Sequence, residues 1–147
     1  MQFIKELAEY EKKLDEVVAT ETLLKEWIFE KKKAEVIFAL VDDHEVGFVL
    51  FFHNFSIFLG RAGIYLEDLY VKPEYRGVGY GKASLKKLAK IAKERGCAIG
   101  GWCLDWNKLS IDFYLSLGAE PMKEWTVYRI AGDTLDHLAE SRSLIFI

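Results

Sequence analysis

The chain has 147 residues, enough for one domain with a real core, and its 51% hydrophobic and 14% aromatic content excludes a disordered segment. A net charge of −3 supplies no basic footprint, which argues against a general nucleic-acid binder. No apolar run approaches the roughly 18 residues of a membrane span, and Met1–Glu6 lacks the layout of a signal peptide, so a cytoplasmic protein is expected.

Phe3, Leu7, Tyr10, Leu14 and Val17 or Val18 recur at three- and four-residue intervals, which predicts an amphipathic helix over residues 3–18. Thr20 can cap a second helix running through Leu23, Leu24, Trp27, Ile28 and Phe29, with Lys31–Lys33 at its C-terminal end. Ala34–Val41 and Val46–His53 read as strands joined by a turn over Asp42–Glu45. Asn54–Gly63 reads as a connection with an apolar tip of Phe55, Ile57, Phe58 and Leu59, the kind of exposed surface that marks a ligand wall or a partner.

Ile64–Val71 is a third strand, ended by Pro73, which cannot donate to a ladder. The glycine-rich loop Arg76-Gly77-Val78-Gly79-Tyr80-Gly81 follows and opens a helix over Gly79–Arg95. Glycines let backbone N–H groups approach a ligand closely, and the helix points its positive end at the same place. Together these make an anion site suited to a pyrophosphate, with Arg76 as a cation at its mouth. The loop is not a P-loop, because Gly81-Lys82 is followed by Ala83, and its glycines are too closely spaced for a dinucleotide fingerprint.

In the helix, Leu85, Leu88, Ala89, Ile91 and Ala92 are expected inward, and Gly96 at the end. Ala98–Leu104 reads as a strand weakened by Gly100 and Gly101. Asn107 caps a helix bearing Ile111, Tyr114 and Leu115 on one face and ending at Gly118. Glu124–Ile130 reads as a last strand and Asp133–Glu140 as a short helix. The apolar tail 141–147 is able to add a strand, through Leu144–Ile147, or to stay disordered. The order implies a single α/β (α+β) domain over residues 1–140, with a mixed, largely antiparallel sheet and helices on both faces. Cys97 and Cys103 form no CxxC and read as reduced thiols, and His44, His53 and His137 show no metal-ligand spacing.

Four features in order carry a resemblance: Tyr65-Leu66-Glu67-Asp68, the loop from Arg76 to Gly81, Trp106-Asn107, and Phe113-Tyr114 with Gly118-Ala119. With Lys5–Glu11, they make the chain similar to the GNAT acetyltransferase superfamily, most of all to the spermidine/spermine (diamine) and thialysine N-acetyltransferases. The resemblance implies transfer of acetyl from acetyl-CoA to a primary amine of a small cationic substrate, by direct attack in a ternary complex, with CoA as product. It implies a homodimer and no metal. Members usually have a strand before the first helix, a place that Leu144–Ile147 is a candidate to fill. For donor binding it implies the backbone of Leu69, Tyr70 and Val71, the loop residues Arg76, Gly77, Val78, Gly79, Tyr80, Gly81 and Lys82, and Asn107, Ser110 and Tyr114. A backbone N–H near Tyr70 or Val71 is expected to hold the developing oxyanion.

Glu67 is expected to accept the ammonium proton through water, because an alkyl ammonium has a pKa of about 10.4 and is not nucleophilic at neutral pH. Glu67 and Asp68 are adjacent on a strand, so only one is expected to line the cleft, and the resemblance favours Glu67. Tyr114 is the expected general acid. Substrate contacts are expected from Tyr10, Glu11, Glu67, Gly100, Gly101, Trp102 and Glu124, with plain packing the alternative for Tyr10 and Trp102. Two other readings stand beside this one: a protein or peptide N-acetyltransferase, and a CoA-binding regulatory module without turnover.

Overall fold

A computed structural model describes residues 1–140; the tail 141–147, and with it the proposed filler strand Leu144–Ile147, lies outside the described residues. The chain divides into two compact units, Met1–Cys103 and Leu104–Ile147.

The first unit is built on a four-stranded mixed sheet in the order β1-β2-β3-β4. Strand β1 (Glu35–Val41) pairs antiparallel with β2 (His44–Ser56), β2 antiparallel with β3 (Arg61–Val71), and β3 parallel with β4 (Ile99–Gly101). The first hairpin turns on Asp42 and Asp43 alone, both with positive φ (49° and 63°), as the tight turn between twisted strands requires. The second hairpin corrects the connection expected over Asn54–Gly63. Asn54 pairs with Gly63, Phe55 with Ala62 and Ser56 with Arg61, so only four residues turn, and the Ser56 hydroxyl accepts from the Leu59 N–H at 3.3 Å. Asn54 and Gly63 are polar or small for ladder reasons, not because the chain bends there. The apolar tip itself is exposed, Phe58 by 94%.

Helix α1 (Gln2–Tyr10) is shorter than the predicted span 3–18. It closes with the Lys13 N–H on the Ala8 carbonyl (2.8 Å) and the Lys12 N–H on that of Glu9 (3.1 Å), and Lys12 takes φ +59°. That is a left-handed C-terminal cap with lysine where glycine is usual, which the hydrophobic pattern does not register. A 3-10 turn follows at Leu14–Glu16. Thr20 accepts from the Leu23 N–H at 3.2 Å and starts α2 (Glu21–Leu24), which widens into a π-helical stretch over Lys25–Glu30.

Helix α3 (Tyr80–Arg95) covers one sheet face with Ser84, Leu88 and Ala92. Ala89, expected inward, is exposed, and Ser84 is buried in the stripe because its hydroxyl donates to the Tyr80 carbonyl at 2.8 Å. Gly96 takes φ +67° and ends the helix. The opposite face receives α1, where Phe3 stacks on Phe48 at 5.7 Å and tilts against Tyr70 at 5.9 Å. Between the helices lie the fully buried Val46, Val49, Phe51, Ile64 and Leu88.

The second unit holds α4 (Lys108–Ser116) and α5 (Gly132–Glu140). The strand expected over Glu124–Ile130 is not formed. Its β-branched and aromatic residues suit a strand, but no described residue offers it a ladder, and Tyr128 is 91% exposed.

Candidate active site

The centre of the first unit is a step in β3. Leu50 of β2 pairs with Asp68, whereas Phe51 pairs with Leu66, so Glu67 is an extra residue with no partner. The bulge breaks the alternation of the strand. Leu66 then joins Phe51 on the α3 face, and Asp68, opposite Leu50, turns to the α1 face. Glu67, at the step, acts electrostatically on both Asp68 and Glu11.

Strand β4 stops at the same place. Its last partner is Leu66, opposite Gly101, and residues 67–71 of β3 continue with no β4 partner. The close approach of the strands needs a glycine there, since a Cβ on Gly101 would lie 2.7 Å from the Leu66 carbonyl oxygen. Beyond that point the two strands part, and Leu69, Tyr70 and Val71 pair with β2 but not with β4.

The opening leads to the glycine loop. After a single 3-10 turn at Pro73–Tyr75, Gly77 and Gly79 take φ +81° and +98°, conformations that favour glycine. Gly79 is the N-cap of α3 and has no side chain to accept the first N–H groups of the helix, which leaves Tyr80, Gly81 and Lys82 in a turn that favours an anion. No acid occupies that first turn. The residues present therefore fit a pyrophosphate. Arg76 is turned toward β3 and α1: its Nε donates to the Val71 carbonyl at 2.7 Å, and its guanidinium lies 5.2 Å from the Tyr10 ring and 5.3 Å from that of Tyr70.

On the α1 side three carboxyl groups gather. Glu11, at the C-cap of α1, has its pKa raised first by burial, against the pull of Lys13, with a smaller push from Glu67. Burial, then Glu67 and Glu11, pushes Asp68 up to about 7. No hydrogen-bond donor to Asp68 is found among the described residues. Tyr65 is raised by burial first and then by Glu67 and Asp68, and its ring meets Trp102 edge-on at 5.4 Å. Trp102 is 68% exposed just beyond β4 and its glycines. An exposed indole and three acids suit a cation.

In the first unit Glu11 and Glu67 act on each other electrostatically, Tyr10 lies against Arg76, Gly100 and Gly101 stand on the neighbouring strand and Trp102 just past its end. Two residues were passed over in the sequence. Asp68 was set aside by the alternation rule, and Glu6, which accepts from the Tyr70 hydroxyl at 2.9 Å, gives no signal beyond its place on a polar helix face. In the second unit the Asn107 side chain accepts from the Ser110 N–H at 3.2 Å and caps α4, as its position predicts. Tyr114 is half-buried on the same helix, its ring 5.5 Å from Phe113. Glu124 is exposed and outside any regular element. No three or more His, Cys, Asp or Glu side chains are placed to hold a metal ion among the described residues, and none of the described helices is long and apolar enough to cross a membrane.

Residues 2–119 match the Acetyltransferase (GNAT) family. Over 152 aligned residues the chain is 39% identical to the thialysine N-epsilon-acetyltransferase of Bos taurus, covering 95% of this chain and 89% of that protein. Over 90 residues it is 43% identical to an L-ornithine N5-acetyltransferase of Arabidopsis thaliana, covering 60% of this chain and 40% of that protein. Among solved structures, an integron cassette protein from the mobile metagenome of V. cholerae superposes with a TM-score of 0.79 at 31% identity, covering 95% of this chain and 88% of that one.

Proposed function

Since this chain belongs to the GNAT acetyltransferase family and is an N-acetyltransferase, we propose that it moves an acetyl group from acetyl-CoA to the primary amine of a small cationic substrate, a polyamine, thialysine or a similar alkyl amine. The observation that carries the choice of acceptor is the gathering of Glu11, Glu67 and Asp68 beside the opening between β3 and β4. The two relatives above, named for acting on thialysine and ornithine, fit an amine at the end of a short alkyl chain.

On this reading the acetyl thioester supplies the acyl group, and the chain does the rest. The backbone at Leu69, Tyr70 and Val71, where β3 has left β4, would hold the pantetheine arm and supply an N–H to the carbonyl oxygen. Gly77–Lys82 hold the pyrophosphate. Glu11 and Asp68 attract the ammonium, and Trp102 and Tyr10 present ring faces to it. Glu67, the most exposed of the acids, takes the proton through water. Tyr114 returns a proton to the leaving sulfur, and Asn107 and Ser110 steady the donor. A homodimer is part of the proposal.

The test is release of free thiol from acetyl-CoA in the presence of spermidine, spermine, putrescine, thialysine, ornithine, lysine or a peptide. Turnover on small dicationic amines is expected. Turnover on the peptide alone would replace the acceptor, and no turnover with CoA still bound would leave a binding module.

A further inference from the structure

The acidic end of α1 needs something to hold it in place. Glu11 sits at the negative end of the helix dipole and feels the pull of Lys13 and a smaller push from Glu67, while Asp68 feels both acids. Like charges push that end of the helix away from β3. Close packing is thin at that end, where Ala8 is fully buried and Tyr10 only half-buried. A cavity of about 370 Å3 opens along the seam, with Glu6, Glu9, Tyr10, Tyr70, Lys72 and Arg76 in its wall.

Side-chain ties span the seam instead. At the start of α1, Phe3 is anchored against Phe48 and Tyr70. Further along, the Tyr70 hydroxyl donates to Glu6 Oε2 at 2.9 Å. At the end, the Arg76 guanidinium lies between the Tyr10 and Tyr70 rings, fixed from behind by its Nε on the Val71 carbonyl. The Phe3 anchor does not depend on the last two ties, so losing them frees the C-terminal half of α1 without unfolding the sheet.

We propose that Tyr70 and Arg76 are positioning residues for the amine: they fasten α1 to the exit of β3 and so hold Glu11 against Glu67 and Asp68. The functional half of this inference rests on the amine-acetyltransferase reading; the mechanical half does not. Donor and acceptor binding are thereby built on the same few residues. Tyr70 stands on the strand that borders the donor opening while its ring and hydroxyl serve α1, and the loop that cradles the pyrophosphate lends its arginine side chain to the acceptor helix.

Three variants test it: Tyr70→Phe removes the hydroxyl and keeps the ring, Glu6→Ala removes the acceptor, and Glu6→Gln keeps a carbonyl oxygen that can still accept. In the unliganded chain, amide exchange over residues 7–12 should quicken roughly 5–10-fold in Tyr70→Phe and Glu6→Ala and stay within about twofold of the parent in Glu6→Gln. In the thiol-release assay the same two variants should raise KM for a diamine roughly 5–10-fold, and Glu6→Ala should leave kcat within about twofold. Arg76→Ala should speed the exchange at least as much; if it fails to fold, the other three still decide. Unchanged exchange in both Tyr70→Phe and Glu6→Ala would overturn the proposal, as would a rise in KM for acetyl-CoA with KM for the amine unmoved. If the parent turns over no amine, the functional reading fails, and the exchange measurement still settles whether α1 is held this way.

Discussion

At the scale of single residues, Asp68 is the group whose state its neighbours decide. Burial, then the charges of Glu67 and Glu11, raise its carboxyl from an ordinary 3.8 to about 7. Over that interval the folded chain keeps a proton that the unfolded chain releases. The stability this group contributes is whole below 3.8, declines as the pH rises and is gone above about 7. Asp68→Asn cannot ionise and escapes the decline. Its stability relative to the parent should therefore grow between about pH 4.5 and about pH 8, by on the order of a few kcal/mol at about 1.4 kcal/mol per unit. Urea unfolding at the two pH values measures this, and an equal difference at both would mean that Asp68 is not buried among like charges. Tyr114 makes a separate prediction. If its phenol protonates the leaving thiolate, Tyr114→Phe should lower kcat roughly 100-fold while acetyl-CoA affinity stays within about twofold. Steady-state kinetics alongside direct CoA titration separates the two, and parental turnover would remove Tyr114 from the chemistry.

At the scale of elements, most of what positions the site follows from ordinary local rules. Thr20 and Asn107 cap their helices by the side-chain bonds their positions imply, and Gly96 closes α3. The glycine loop was legible because Gly77 and Gly79 need conformations that other residues resist. The end of α1 was not, because Lys12 occupies a left-handed cap position without being glycine. That strain is removable: Lys12→Gly should stabilise the chain by about 0.5–1 kcal/mol in thermal or urea unfolding, and a loss of stability would mean that the Lys12 side chain contributes more than its backbone costs. The bulge in β3 was also hidden. Alternation is the rule from which strands are read, and Tyr65–Val71 alternates acceptably in either register. Only pairing with β2 reveals that Glu67 is extra and that Asp68 belongs to the α1 face. The missing strand at Glu124–Ile130 is the reverse case, a sequence with strand character and no described partner.

At the scale of the whole molecule, the proposed reaction joins a donor site to an acidic acceptor site across one strand. β3 parts from β4 at Leu66, steps at Glu67, turns Asp68 toward α1 and runs out into the anion loop. The family was legible from the loop and the motifs around it, since those residues are constrained by what they must bind. The acceptor was less legible, because it depends on where a bulge sends two carboxylates and on how α1 is held. The central claim is that the three acids select a second positive charge on the amine. The direct measurement is kcat/KM for a diamine against a monoamine of equal chain length, in the parent and in Glu11→Gln. The account predicts a preference for the diamine of roughly 10-fold or more in the parent, shrinking to within about threefold in the variant. Equal kcat/KM for the two amines in the parent would contradict it.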